Sequence, residues 1–402
     1  MKILLICKSL PHRYQGGIQT HTWQLAAHLT ERGHEVKILT AGSWHNGEKH
    51  YTMEGRHIIE LPYLPLRYSP VCSHFLEELS FNMSVKNWLS NHYHQFDLVH
   101  LQGRSGFLTP QLGLPIPIVA TFHGLVNLEN KFSKTALQIG QKIHQIWASH
   151  FEKKCLQNAD ACIAVSREML SEMTEVSPKI AEKTTVLPNG VNSQTVQKAE
   201  KNSETLVFIG RLEAIKGVNR LLDVLPFLDK NIHLTLIGDG SERKNIENRL
   251  FTEGYQNRVS LLGGLPNQAV LAQIQQSFAL VLPSSHETQG IVLLEANACG
   301  KPVVASRVGG IVEVVEEHRN GLLFDLDNLH ELAAKINFLY KNPDLAQKMG
   351  ENGRKIVSEK YSWSKIAADT EGIYQRILEH KKREQKPAHI GVDFATAHIQ
   401  TV

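Results

Sequence analysis

The chain has 402 residues, of which 42% are hydrophobic, and its formal net charge is only +3. This length allows two domains with separate cores, and so weak a charge gives no argument for nucleic-acid binding. No apolar run reaches the roughly 18 residues of a membrane-spanning helix. The five cysteines are odd in number and contain no Cys-x-x-Cys pair, which favours a reducing, cytoplasmic setting.

The first part of the chain predicts alternating strands and helices. A strand at 3–7 leads through a loop containing Gly16 and Gly17 into a helix, and a second strand follows at 36–39. Glycines between a first strand and a helix let a ligand approach the backbone closely, with a tight turn as the alternative. The glycine spacing matches neither Gly-x-Gly-x-x-Gly nor a P-loop, so neither nucleotide-binding motif is predicted.

Residues 63–95 are uneven in polarity and contain several aromatic side chains. A loop followed by a core-packing helix explains them, and a surface that faces an acceptor or a membrane is the alternative. Further strands are predicted at 97–101 and 116–122, and the second ends just before His123. Ligands of open α/β sheets bind outside the carboxyl ends of the strands, so His123 is a candidate for chemistry. A satisfied polar residue is the alternative.

Next come a predicted helix over 134–157 and a strand over 160–165. Residues 193–204 are polar and nearly featureless, which predicts a linker between domains. The predicted divisions of the chain are a first domain over 1–195, a second over 196–366, a helical segment over 367–385 and a tail over 386–402.

A second alternation of strands and helices begins at 207–209, and the loop after that strand contains Arg211 and Lys216. Two cations at the carboxyl end of a strand can neutralise a diphosphate leaving group, with an ordinary surface pair as the alternative. Strands at 233–237 and 259–262 follow, and each ends in a glycine turn.

Residues 278–305 predict a strand, a loop, a helix opened by Gly290, and another strand. Glu287 lies in the loop and Glu295 on the helix, so both can face one ligand above the helix start. Free backbone N–H groups near 289–291 favour a phosphate, whereas carboxylates accept hydrogen bonds from hydroxyl groups. This combination suits a sugar nucleotide, and an ordinary crossover with two solvated glutamates is the alternative.

Asp325-Leu326-Asp327 has the form of an Asp-x-Asp metal motif. It precedes a predicted helix, and Asp and Asn are preferred helix N-caps, so Asp327 or Asn328 is expected to cap that helix. The sequence therefore predicts no metal site.

Several of these stretches together resemble the signature of the retaining glycosyltransferases of family 4, which have the GT-B fold. They are Glu287-x7-Glu295 with the following Ala-x-Ala-Cys-Gly-Lys-Pro, the string Gly-Arg-Leu-x-x-x-Lys-Gly from Gly210, Thr-x-His-Gly around His123, and the Gly-Gly loop. The resemblance covers residues 3–378 and departs at Gln289, where the family usually has Phe.

The resemblance implies two Rossmann-like α/β/α domains whose parallel sheets face a central cleft, and a C-terminal helix that crosses back to the first domain. It also implies an activity. A sugar would pass from a UDP- or GDP-sugar to a hydroxyl acceptor with retention of configuration, in glycan, glycolipid or glycoconjugate biosynthesis.

By the same resemblance, each candidate residue receives a role. The expected catalytic residues are His123, Glu287, Arg211 and Lys216. The expected donor-binding residues are Gly16, Gly17, Arg211, Lys216, Gln289, Gly290, Ile291 and Glu295. The two cations would hold the diphosphate, Glu295 the ribose and Glu287 the donor sugar. No cofactor is expected, since the nucleotide sugar is a substrate.

The expected partners are a nucleotide sugar and a glycan, lipid-linked or small-molecule acceptor, without nucleic acid. Peripheral contact with the inner face of the membrane is a further expectation. Two alternatives stay open, namely a phosphorylase or sugar-nucleotide epimerase on the same fold, and a non-catalytic sugar-nucleotide-binding partner.

Overall fold

The computed structural model describes residues 1–14, 16–65, 73–126, 139–192 and 203–384. Some predicted features lie wholly or partly outside these ranges. They are residues 66–72 of the uneven stretch, the first residues of the helix predicted from 134, the linker up to residue 202, residue 385 of the helical segment, and the whole tail over 386–402. The described residues form two sheets, one of eight strands and one of six.

The first sheet is built from the amino-terminal half of the chain. Its strands are β1 (Lys2–Ile6), β2 (Glu35–Ala41), β3 (Lys49–Met53), β4 (Arg56–Leu61), β5 (Leu98–Gln102), β6 (Ile118–Phe122), β7 (Ala161–Ala164) and β8 (Thr184–Val186). Their order is β3-β4-β2-β1-β5-β6-β7-β8, and β3 and β4 form an antiparallel hairpin at one edge. The other neighbouring pairs are parallel.

Helices cover both faces of this sheet, which explains why its inner strands are apolar without alternation. The helices of this half are α1 (Gly17–Glu31), α2 (Ser73–His92), α3 (Ile139–Asn158) and α4 (Arg167–Val176). On one face Phe81 of α2 and Met169 of α4 pack with Leu4 and Ile6. On the other face Leu25 of α1 is part of a separate core cluster.

The second sheet is entirely parallel. Its strands are β9 (Thr205–Ile209), β10 (His233–Ile237), β11 (Val259–Gly263), β12 (Ala279–Leu282), β13 (Val303–Ser306) and β14 (Gly321–Phe324). Their order is β11-β10-β9-β12-β13-β14. The chain therefore builds one side of the sheet from β9 to β11 and then returns to the other side of β9. Ligands of such sheets bind at this reversal, outside the carboxyl ends of β9 and β12.

The helices of the second half pack around that sheet and then leave it. They are α5 (Val218–Val224), α6 (Arg243–Thr252), α7 (Asn267–Gln276), α8 (Ile291–Ala298), α9 (Ile311–Val314), α10 (Leu329–Lys341), α11 (Pro343–Lys360) and α12 (Trp363–Glu384). Helix α12 returns to the first sheet, where Ile366 and Tyr374 share a core with Ile3 and Leu5 of β1.

The predicted fold class, two α/β domains with parallel sheets, is confirmed by this topology. The uneven stretch 63–95 contains α2, whose Phe81 and Trp88 are buried, as expected of a core-packing helix. Among the helices that the structure describes, none is both long and apolar enough to cross a membrane.

Candidate active site

Lys216 and Glu287 meet at the reversal point of the second sheet. Lys216 ends a short turn after β9, and Glu287 lies in the loop after β12. The Lys216 Nζ atom lies 2.6 Å from Oε2 of Glu287, and both side chains are largely buried. The two loops are tied together because the backbone N–H of Ser285 donates to the carbonyl of Ile215 at 2.8 Å. The hydrogen bond between the two loops therefore holds the two charged side chains next to each other.

The loop that carries Lys216 depends on the glycine that follows it. Gly217 has a φ of +71°, and a Cβ atom placed on it would lie 2.0 Å from the carbonyl oxygen of Pro283 at the end of β12. Only glycine combines this backbone conformation with so close an approach. The Lys-Gly dipeptide therefore brings the β9 loop against the β12 loop.

Arg211 is the second cation at the end of β9. It is exposed, and within the described ranges its side chain makes no ion pair or hydrogen bond. Its charge is therefore available to an incoming anion, whereas the charge of Lys216 is shared with Glu287. Because Arg211 and Lys216 belong to one short loop, they offer two positive groups to the same ligand.

Helix α8 starts beside the ion pair. Its N-cap is Gly290, with a φ of 79°, and none of the side chains that the structure describes bonds to the first N–H groups of the helix. Uncapped N–H groups and the positive end of the helix dipole favour an anion at this place. Across the cleft lies the Gly16-Gly17 loop, since a Cβ atom on Gly17 would stand 3.0 Å from Cδ1 of Ile291.

Glu295 lies one turn further along α8 and is half-buried. Burial raises the pKa of its carboxyl group to about 7, and a hydrogen bond from Asn267, at 3.4 Å, opposes this only in part. A carboxyl group that titrates near neutrality is easily ionised when hydroxyl donors reach it.

His123 follows β6 and comes from the first domain. Its Nε2 atom lies 3.3 Å from Oε1 of Gln102, and the hydroxyl of Thr288 donates to its carbonyl oxygen at 2.8 Å. Burial holds the pKa of the imidazole well below its usual range, and the neighbouring His21 and His100 act in the same direction. His123 is therefore a neutral imidazole at pH 7, placed against the Glu287 loop.

Two polar residues that sequence reasoning missed lie beside His123. The His21 ring packs edge-to-face on that of His123, with ring centroids 4.8 Å apart. The Nδ1 atom of His21 lies 2.8 Å from Oδ1 of Asn189, and both residues are buried. The sequence did contain a signal for His21, because it stands four residues before the buried Leu25 of α1. A polar residue on a buried helix face needs a partner.

The structure thus brings most of the predicted residues to one cleft between the carboxyl ends of the two sheets. The side-chain oxygen of Gln289 is not free to contact a sugar donor, because it accepts hydrogen bonds from Asn189. The predicted roles of the individual residues toward a donor stay predictions.

The Asp-x-Asp stretch lies apart from this cleft. Asn328 is the N-cap of α10, and its Oδ1 atom accepts from the backbone N–H of Glu331 at 3.0 Å. Asp325 lies 3.4 Å from Arg307. Within the described part of the chain, His, Cys, Asp and Glu side chains form no group of three or more that could hold a metal ion.

Comparison with known families gives two matches that together span most of the chain. Residues 15–195 match the model described as glycosyltransferase family 4. Residues 192–356 match the model described as glycosyl transferases group 1.

Individual proteins agree with these matches. An uncharacterized glycosyltransferase of Methanocaldococcus jannaschii is 31% identical over 393 residues, which cover 94% of this chain and 99% of the relative. A glycogen synthase of Mycobacterium tuberculosis is 25% identical, over 96% of this chain and 97% of its own. The solved sucrose-phosphate synthase from Thermosynechococcus elongatus has the same fold, with a TM-score of 0.81 at 24% identity, over 94% of this chain and 99% of its own.

The identity to the archaeal relative extends over nearly both whole chains, and the two family models divide between the two sheets. The chain therefore belongs to the family 4 glycosyltransferases, and its fold is GT-B.

Proposed function

We propose that this glycosyltransferase moves a sugar from a UDP- or GDP-sugar to a hydroxyl group of its acceptor and retains the anomeric configuration. The observation that carries this proposal is that the Lys216–Glu287 ion pair and the uncapped start of α8 lie together, opposite His123 of the other domain. Arg211 belongs to the same short loop as Lys216. Positive groups at this point suit a diphosphate, and the facing histidine suits the sugar attached to it.

In the proposed reaction the bond between the anomeric carbon and the diphosphate oxygen breaks, and negative charge grows on that oxygen. Arg211 and Lys216 stabilise this charge as the diphosphate leaves. The acceptor oxygen bonds to the anomeric carbon on the face that the diphosphate leaves, and its proton passes to the departing phosphate. Glu287 accepts a hydrogen bond from the donor sugar while Lys216 holds its carboxylate in place.

The neutral imidazole of His123 lies beside the reacting sugar in this scheme, where it can exchange hydrogen bonds with a sugar hydroxyl. Glu295 accepts hydrogen bonds from the ribose. No metal ion or cofactor takes part in the proposed reaction, because the two cations and the helix start supply the positive charge that the diphosphate needs.

The acceptor is proposed to carry sugar or polyol hydroxyls, as part of a glycan, a lipid-linked glycan or a small molecule. The similarity to a glycogen synthase over nearly the whole chain supports a glycan acceptor. A phosphorylase, an epimerase or a non-catalytic binding partner would release no nucleoside diphosphate in response to an acceptor.

The test is a panel of UDP- and GDP-sugars, assayed for nucleotide release with and without a panel of acceptors, both in EDTA and with added magnesium or manganese. We expect acceptor-dependent release, and NMR of the product should show the anomeric configuration of the donor. Lys216→Met keeps much of the side-chain length without its charge, and should lower kcat about 100-fold with saturating donor.

Exposed Lys230 lies in the loop before β10, so Lys230→Met serves as the matched control and should match the parent. The assignment of Lys216 fails if Lys216→Met also turns over like the parent. Activity that disappears in EDTA and returns with magnesium or manganese would overturn the metal-free part of the proposal. An inverted product would overturn retention.

A further inference from the structure

Gln289 is buried at the junction of the two domains, with only 3% of its surface exposed. Its Oε1 atom accepts a hydrogen bond from the backbone N–H of Asn189 at 2.9 Å and another from the Nδ2 group of the same residue. Asn189 belongs to the first domain and follows β8, whereas Gln289 follows β12 of the second. One amide oxygen thus joins the two domains twice.

The first of these bonds determines the direction of the others. A backbone N–H can only donate, so the Gln289 atom that it meets must be the oxygen. The Asn189 side-chain atom that meets the same oxygen must then be the NH₂ group, because an oxygen there would have no proton to donate. This leaves the Asn189 oxygen facing Nδ1 of His21, at 2.8 Å.

An oxygen acceptor opposite Nδ1 requires a proton on that nitrogen. His21 is therefore the Nδ1–H tautomer. The backbone N–H of Asn189 orients the Gln289 amide, this amide orients the Asn189 side chain, and that side chain selects the His21 tautomer. The ring is neutral, since burial lowers its pKa to about 4 and the bond to Asn189 opposes this only in part. A neutral His21 places no positive charge against His123.

The same ring has its orientation set on its other sides by aromatic contacts. Its centroid lies 4.8 Å from that of His123 and 5.3 Å from the centroid of the Trp363 ring, and both contacts are edge-to-face. A rotation of His21 would therefore displace the His123 ring. The chain of contacts runs from Gln289 through Asn189 and His21 to His123, and the Asn189 side chain also reaches His123 directly.

We propose that Gln289 is a positioning residue that, through Asn189, fixes the proton and the ring of His21 beside His123. The Phe that the family signature has at this position offers no acceptor for the two Asn189 donors. The hydrogen bonds that fix His21 therefore depend on the glutamine that this chain has instead. The consequence for turnover rests on the proposed glycosyl transfer, whereas the proton arrangement does not.

The test uses two variants of Gln289, which differ in whether the side chain offers a hydrogen-bond acceptor. Gln289→Met keeps the length of the side chain and removes the acceptor, whereas Gln289→Glu keeps an acceptor oxygen for both Asn189 donors. Gln276→Met is the matched control, because Gln276 is exposed at the end of α7. The two imidazole nitrogens of each histidine are followed by ¹⁵N NMR, which separates the two tautomers. The signals that disappear in His21→Gln are those of His21.

We expect the Nδ1–H tautomer for His21 in the parent protein, in Gln289→Glu and in Gln276→Met. In Gln289→Met the Asn189 side chain is free to turn, so His21 should no longer be held in the Nδ1–H tautomer alone. With a donor and acceptor that support turnover, kcat of Gln289→Met should fall about 10- to 100-fold with little change in the donor KM, and Gln289→Glu should recover most of it.

The parent spectrum alone can overturn the proposal, whether or not any variant folds. An Nε2–H tautomer for His21 in the parent would do so, as would an unchanged His21 tautomer in a folded Gln289→Met. If no donor supports turnover, the proposed function fails while the NMR result still decides the role of Gln289.

Discussion

At the scale of single residues, the two glutamates of the site differ in their charge state. Glu287 already pairs with Lys216 at 2.6 Å. Glu295 has its carboxyl pKa raised to about 7 by burial, so near neutral pH a large fraction of it carries a proton. An ionised carboxylate accepts more hydrogen bonds from hydroxyls than a protonated one, so a ribose should bind to the ionised form.

This difference predicts that binding of UDP or GDP releases protons. The free protein holds a proton on Glu295 below about pH 7, and a ligand that prefers the ionised form lowers this pKa. Affinity should therefore fall as the pH drops below about 7 and level off above it. Titration calorimetry at neutral pH, in buffers of different ionisation enthalpy, measures the number of protons released.

Two variants separate the roles of the glutamates. Glu295→Gln should bind the nucleoside diphosphate more weakly, should release fewer protons on binding than the parent protein, and should raise the donor KM. Glu287→Gln should keep affinity and proton release and mainly lower kcat, since its contact is to the reacting sugar. The terminal phosphate of the nucleotide also titrates near neutral pH, so the test is the difference between the two proteins. Release from Glu295→Gln equal to that from the parent would refute the assignment.

At the scale of elements, α12 ties the end of the described chain to the first sheet. The Tyr374 hydroxyl lies 2.6 Å from Nδ1 of His100, and both residues are fully buried. The second ring nitrogen of His100 lies 2.6 Å from the hydroxyl of Thr121 on β6. Burial lowers the His100 pKa to about 3, so this pairing joins neutral groups.

We expect Tyr374→Phe to leave His100 without this partner and to destabilise the docking of α12 by about 1–3 kcal/mol. Backbone amides of α12 should then exchange with deuterium about 5- to 150-fold faster, as measured by mass spectrometry. Tyr93→Phe is the matched control, because the Tyr93 hydroxyl makes no hydrogen bond to the residues that the structure describes. Equal exchange in α12 for both variants would contradict the prediction.

Sequence reasoning found the buried strands because parallel strands between two helical layers are apolar runs. It did not find the β3–β4 hairpin, since β3 lies at the sheet edge and exposes Lys49, His50 and Thr52. It also missed α11, which contains Gly350 and Gly353, two residues that normally count against a helix.

The residues of the candidate site likewise include some that sequence reasoning found and others that it missed. Residues such as Lys216 and Glu287 stand next to strand ends in local patterns, and the sequence identified them. The bond between His21 and Asn189 joins residues 168 positions apart, and that between Asn189 and Gln289 spans 100. No local period encodes such pairs, so only the folded chain reveals them: the first pair lies within the first domain, and the second joins the two domains.

At the scale of the whole molecule, loops of the second domain rest on α4 of the first. Glu313 of α9 accepts hydrogen bonds from the backbone N–H groups of Arg167 and Glu168, at 2.8 and 3.2 Å, where α4 begins. His286, next to Glu287, lies 3.3 Å from the carboxylate of Glu172 on the same helix. The loop that would hold the donor sugar is therefore also a domain contact, so we expect ligand binding to be coupled to closure of the two domains.

Glu313 is the clearest test of that coupling, because a carboxylate at a helix N-terminus is stabilised by the free N–H groups and by the dipole. Removing it with Glu313→Ala should weaken the closed arrangement by about 1–2 kcal/mol, which multiplies the open population by about 5 to 30. Small-angle scattering should then give a larger radius of gyration than for the parent protein without nucleotide.

Glu316→Ala is the matched control, because Glu316 pairs with Arg319 and Lys360 inside the second domain. It should leave the radius of gyration unchanged. Saturating UDP or GDP should return Glu313→Ala toward the radius of the parent, since a ligand held by both domains favours the closed state by its differential affinity. A radius equal to that of the parent in the absence of nucleotide would show that the Glu313 contact does not hold the domains together, and closure would then depend on the other contacts between the domains.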